Sequence, residues 1–134
     1  MAGYWPSPDA LKDDPVIAER MNSLNKLVFS KSVDSSDWSN TKIVKSNPVE
    51  EIARLKMSDG KDMAIFGSSD LSLTLIKHGM IDEYRIFINP VVLGNGKPLF
   101  KGISGHLKLK LIKSKTFNSG NVLLCYAPAA SSAK

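Results

Sequence analysis

One cysteine, two histidines and no long apolar run bound the chemistry open to this 134-residue chain. The single thiol, Cys125, excludes an internal disulfide and any multi-cysteine metal site, and His78 and His106 are too few for a zinc cluster. No apolar stretch approaches the roughly 20 residues that a membrane-spanning helix needs. The opening MAGYWPSPDALKDD also lacks the basic-then-apolar order of a signal peptide. The sequence thus reads as a cytoplasmic protein with no membrane partner and no structural metal. Aromatics are sparse at 7%, while 43% hydrophobic and 23% charged residues suit one globular domain with one core.

Charge is present but uneven. Residues 1–67 carry 9 basic and 10 acidic groups, net −1, whereas residues 68–134 carry 9 basic and 3 acidic groups, net +6. A surplus of that size can attract nucleic acid. However, Lys108, Lys110, Lys113 and Lys115 sit in an apolar alternation without the interleaved aromatics of a single-strand binder. No nucleic-acid partner is expected on that pattern, and a site for phosphorylated small molecules fits the surplus as well.

Periodicity outlines the elements. Leu11, Val16, Ile17, Met21 and Leu24 recur at near-helical spacing, with Pro15 breaking the segment or beginning its regular part. Lys26–Ser30 and Thr41–Val44 read as short buried strands separated by a polar loop. Asn47-Pro48-Val49-Glu50 combines a capping residue, a proline at the first helical position and a Glu three residues after the cap, opening a helix to about Met57. Met63–Phe66 then reads as a buried strand, followed by a turn at Gly67-Ser68-Ser69 and a helix from Asp70 to His78 stopped by Gly79. Glu83–Asn89 is a strand ended by Pro90, Gly94-Asn95-Gly96 an ordered loop, and Leu107–Phe117 with Asn121–Ala127 a final hairpin. Leu107, Leu109 and Leu111 share a face that Ile112 leaves, which predicts a β-bulge near Leu111. The order predicts a three-layer α/β/α domain with a mixed sheet over residues 1–127, and a flexible tail over 128–134.

Two turns carry anion-binding chemistry. A helix N-terminus after Gly67-Ser68-Ser69 presents free N–H groups to a phosphate, although a simple cap explains the same residues and Asp70 opposes an anion. Ser30-Lys31-Ser32, at the end of a buried strand, sets an ammonium between two hydroxyls where ligands gather in open α/β sheets; an ordinary polar turn is the plainer alternative. His78 reads as a helix-terminal cap, His106 as loop surface and Cys125 as a packed apolar residue. Asp82 and Glu83 fall on opposite faces of a strand start, which disfavours a hydrolase.

The runs Asp82–Ile86 and Asn89–Phe100, supported by Lys26–Ser32, Ile65–Leu71 and Thr116–Val122, resemble the dihydrofolate-reductase-like family. That family includes the reductase domain of the bifunctional riboflavin-biosynthesis deaminase/reductase. The resemblance implies NADPH-dependent hydride transfer to a pteridine-like or ribosylamino-pyrimidine substrate, and a homodimer. It assigns the pyrophosphate of NADPH to Gly67, Ser68, Ser69, Asp70 and Leu71, and the adenosine 2′-phosphate to Ser30, Lys31 and Ser32. It assigns no catalytic residue to this chain. The family often has a second glycine where Ser68 stands and an Arg where Lys31 stands, and Lys cannot form the bidentate fork of Arg. Met1–Pro6 resembles an interior stretch of family members, so the fold is expected to lack the family's N-terminal strand and helix and to bind cofactor better than it turns over substrate. The competing expectation is a non-catalytic nucleotide-binding or dimerisation remnant.

Overall fold

A computed structural model describes residues 1–129 and divides into two compact units, Met1–Glu51 and Ile52–Lys134. The first unit opens with two short helices, α1 (Pro8–Asp13) and α2 (Pro15–Ser23), each with proline in its first turn, where a missing N–H costs nothing. Ser7 caps α1, its hydroxyl accepting from the Ala10 amide at 3.3 Å. Asp14 serves both helices: its amide donates to Ala10 O at 3.0 Å, and its carboxylate accepts from the Ile17 amide at 3.0 Å. Ala10 and Ala18 are fully buried.

Strands β1 (Lys26–Phe29) and β2 (Thr41–Val44) pair in parallel, Lys26 against Thr41 through Phe29 against Val44. The crossover between them has no helix, and a cluster of polar side chains holds it. The Lys26 ammonium donates to the carbonyls of Met21, Asn22 and Leu24 at 3.0, 3.1 and 2.7 Å, satisfying the orphan end of α2. It also lies 4.6 Å from the centre of the Trp38 ring. The Trp38 indole donates to Asn22 Oδ1 at 2.7 Å, and Asn22 Nδ2 donates to Trp5 O at 2.9 Å. Asn40, at φ 56° in a region that Asn tolerates, reaches back to Asn22 O and Ser23 O while its own carbonyl accepts from the Lys26 amide. Burial pulls the Lys26 ammonium below its ordinary 10.5.

Helix α3 (Pro48–Lys56) begins where Asn47 Oδ1 accepts from the Val49 amide at 2.9 Å, and it runs across the division between the units. In the second unit, the Lys56 ammonium donates to Met80 O at 3.1 Å and to Asp82 at 2.5 Å. Helix α4 (Ser69–Lys77) buries Leu75 and ends on Gly79 at φ 65°, with the Met80 amide closing onto Leu75 O at 2.9 Å. The antiparallel sheet has the order β3-β5-β4, from β3 (Tyr84–Ile88), β4 (Leu109–Thr116) and β5 (Val122–Pro128). At the hairpin turn Gly120 has φ 84°, and an added Cβ there would meet Pro90 Cγ at 3.3 Å. Asn121 Nδ2 donates to Asn89 Oδ1 beside it. Tyr84 and Cys125 are buried, and burial raises the Tyr84 hydroxyl.

The described residues are therefore mixed α/β, with parallel pairing in one sheet and antiparallel pairing in another. The predicted strand at Met63–Phe66 does not form: residues 61–66 have no regular structure and are exposed. A strand is defined by its ladder partner, and an apolar run without one stays a loop. The predicted bulge is present as a register shift between Leu111 and Lys113. Of the expected tail, Pro128 ends β5 and the Ala129 amide donates to Lys108 O at 2.9 Å, so these two residues are held, while residues 130–134 lie outside the described residues. Among those residues no helix is long and apolar enough to cross a membrane.

Substituting Lys26 by Met keeps the aliphatic stem and removes the three donors. The variant should lose about 1–2 kcal/mol of unfolding free energy, read from urea unfolding followed by tryptophan fluorescence. A midpoint equal to that of the parent would show that the ammonium does not hold the α2 terminus.

Candidate functional site

Because β1 and β2 are parallel, both end at one edge of their sheet, and the residues that follow them meet there. The Ser30 amide donates to Val44 O at 3.2 Å, extending the ladder by one bond. Ser30 Oγ accepts from the Val33 amide at 3.1 Å and lies 3.4 Å from Ser32 Oγ, so Ser30-Lys31-Ser32 is a closed turn. Its outer side is tied down by a residue that the sequence reading missed. Lys45, just after β2, donates to Lys31 O at 3.1 Å, Val33 O at 2.6 Å and Asp34 Oδ1 at 2.8 Å. The signal was available: a basic residue directly after the second strand of a parallel pair stands beside the turn that follows the first. The Lys31 side chain is exposed. Two ammonium groups against the one Asp34 carboxylate leave this edge net positive, and it carries hydroxyls that can donate to a phosphate.

The second turn belongs to the second unit. Gly67 has φ 67° and nothing within 4 Å of an added Cβ, so the backbone conformation, and not crowding, calls for glycine. Ser68 is the residue before α4, yet its side chain makes no capping bond. The amides of Ser69, Asp70 and Leu71 begin a nine-residue helix without that side-chain acceptor, while Ser72 N already bonds to Ser68 O at 2.9 Å. Such amides, with the positive end of the helix dipole, are suited to an anion. The simple-cap alternative therefore fails in its side-chain form, while Asp70 still sets a negative charge in the first turn.

The remaining candidates resolve as structural. His78 Nδ1 lies 2.8 Å from Thr74 O at the end of α4, in keeping with a cap. Cys125 is packed on β5. Asp82 pairs with Lys56 and Glu83 with Arg85, each at 2.5 Å, so the two carboxylates do not act on one proton. The Glu83 contact raises the Arg85 guanidinium. Among the described residues no group of three or more His, Cys, Asp or Glu can hold a metal ion.

Residues 7–123 match the RibD C-terminal domain. The chain belongs to that family. It is 37% identical over 123 residues to the uncharacterized protein YyaP of Bacillus subtilis (strain 168), covering 92% of this chain and 65% of that one. It is 36% identical over 90 residues to the uncharacterized protein YwjB of the same organism, covering 67% of this chain and 52% of that one. This RibD C-terminal domain chain thus spans less than two thirds of either relative. A crystal structure from Shewanella sp. PV-4, of a protein whose name links it to riboflavin biosynthesis, superposes with TM-score 0.70 at 24% identity over 88% of this chain and 70% of that one. A pyrimidine reductase-like protein from Corynebacterium diphtheriae gives TM-score 0.56 at 16% identity over 78% and 50%. At these identities the likeness concerns the fold, and it bears out the resemblance legible in the sequence.

Replacing Lys45 by Met should free the turn without unpairing the strands. Amide exchange at Val33 and Asp34 should quicken about tenfold, the equivalent of about 1.4 kcal/mol, while the amides of β1 exchange as before. Unchanged exchange at Val33 would show that Lys45 does not hold the turn.

Proposed function

We propose that this RibD C-terminal domain chain is an NADPH-dependent reductase of the riboflavin-biosynthesis type, acting on a ribosylamino-pyrimidine phosphate or a related pteridine-like ring. The observation that carries the reading is the start of α4, which follows a left-handed Gly67 and lacks a side-chain cap, a donor set suited to a pyrophosphate. The turn at Ser30, Lys31 and Ser32 supplies a second donor set of the kind a ribose 2′-phosphate takes, one ammonium flanked by hydroxyls. Family membership supports reading each turn, within its own unit, as a cofactor contact. When bound, NADPH supplies the hydride; the protein supplies binding and orientation. Gly67 keeps the backbone approach open, Ser69, Asp70 and Leu71 donate amides, Lys31 reads the extra phosphate of NADPH against NADH, and Lys45 positions the turn that bears Lys31. The three-layer arrangement and the cytoplasmic location belong to the same proposal.

A nucleotide-binding form without turnover is the second reading, and the carboxylates favour it. Asp82 is paired with Lys56, Glu83 with Arg85, and Asp70 is exposed in the first turn of α4, so none is the protected acid that a reductase uses beside a substrate ring. The chain is further proposed to form a homodimer. Val91, Val92 and Leu93 are 62, 95 and 77% exposed, and β3 and β4 are the edges of their sheet.

Lys31→Ala should weaken NADPH about tenfold and leave NADH nearly unchanged in a fluorescence titration. Equal losses for both nucleotides would remove Lys31 from the 2′-phosphate. Light scattering should return twice the 14.6 kDa chain mass; a concentration-independent monomer would end the dimer proposal.

A further inference from the structure

The antiparallel sheet of the second unit has one face that the reductase reading does not use. Cross-strand register puts Arg85 and Lys113 on either side of Cys125, Phe87 and Lys115 on either side of Leu123, and Lys110 opposite Ala127. Paired residues share a face, so four cations from two strands stand on the side that holds Phe87, Leu123 and Cys125. Strands β3, β4 and β5 contain no acidic residue. Outside the strands, Glu83 is engaged with the Arg85 guanidinium at 2.5 Å and Asp62 also acts on it, which leaves the lysines of β4 as the main positive charge of this face. A cavity of about 330 Å³ is lined by Arg85, Lys113, Lys115, Leu123 and Cys125, with Glu83 and Ile112 also on its wall.

The aromatics missing from the lysine-bearing strand are brought to it by the fold. Phe117, at the end of β4, lies 6.1 Å from Phe87 between ring centres, and the Lys115 ammonium sits 4.8 Å from the Phe117 ring. Phe87 is 56% exposed, so its ring is open to a partner. The bulge at Ile112 returns Lys113 and Lys115 to this face after Lys110, which keeps all three lysines of the strand on one side.

From this juxtaposition we propose that the face of β3, β5 and β4 bearing Arg85, Lys110, Lys113 and Lys115 binds single-stranded nucleic acid, with Phe87 and Phe117 as stacking surfaces. Charge complementarity selects a polyanion, because an open row of exposed cations holds one small anion weakly and a chain of phosphates cooperatively. The two rings select bases over acidic peptide, since every base has a face to stack. A second copy of the same face is excluded as occupant by like charge. The proposal is independent of the reductase reading.

The test is fluorescence anisotropy with a labelled dodecathymidylate on the full chain at 50 and 300 mM NaCl. Binding should weaken at least tenfold at the higher salt. The Lys113→Glu/Lys115→Glu variant should lose at least tenfold in affinity and lower the slope of log affinity against log salt by about 1.4, as expected for two phosphate contacts on a single strand. Phe87→Ala should weaken binding about tenfold with the salt slope unchanged, a separation that a general loss of folding does not produce. Absence of binding at 50 mM NaCl would overturn the proposal. So would indifference to these substitutions, or equal affinity for a polyglutamate of the same charge.

Discussion

Parallel pairing of β1 with β2 is the constraint from which the first unit follows. Antiparallel strands can be joined by two residues, but a parallel pair must carry the chain back along its own length before the second strand begins. Here that return, residues 30–40, forms no helix, so its backbone polar groups need other partners. Lysines stand at opposite ends of the ladder, and the one after β2 provides two of those partners, at Lys31 O and Val33 O. Lys26, at the start of β1, closes the end of α2 and carries the Trp38 ring, while Lys45, after the end of β2, closes the turn after β1. One pairing register thus decides where the polar turn of the candidate site stands and what holds it.

Much of this was legible because it is local. Proline and capping side chains marked α2 and α3, a short β-branched and aromatic run followed by turn residues marked β1 with β2 after it, and the change of phase at Ile112 marked the bulge. What could not be read depended on partners distant in sequence. Met63–Phe66 has the composition of a buried strand, yet no strand pairs with it. Lys26 and Lys45 are undistinguished in sequence, because the reach of a long side chain acquires meaning only when pairing fixes what lies within it. Phe87 and Phe117 were invisible as a pair for the same reason.

The two candidate turns offer donors to an anion by different physics. At the first, the donors are side chains, an ammonium and hydroxyls, fixed by Lys45; at the second they are backbone amides fixed by the helix itself. Amides at a helix start can hold any phosphate oxygen, so on the proposed reading selectivity between nicotinamide cofactors rests on the lysine turn. Lys31 fits modest selectivity on that reading, since an ammonium is a point charge without a planar fork. The basic sheet face is distinct in kind again: exposed, repetitive and suited to a chain of charges.

The most direct measurement of the cofactor account is amide chemical-shift mapping of the ¹⁵N-labelled chain on addition of NADPH. The account predicts saturable shifts at Ser69, Asp70 and Leu71 and at Lys31–Val33, with the second group diminished when NADH replaces NADPH. Shifts confined to other residues, or none at millimolar NADPH, would contradict it.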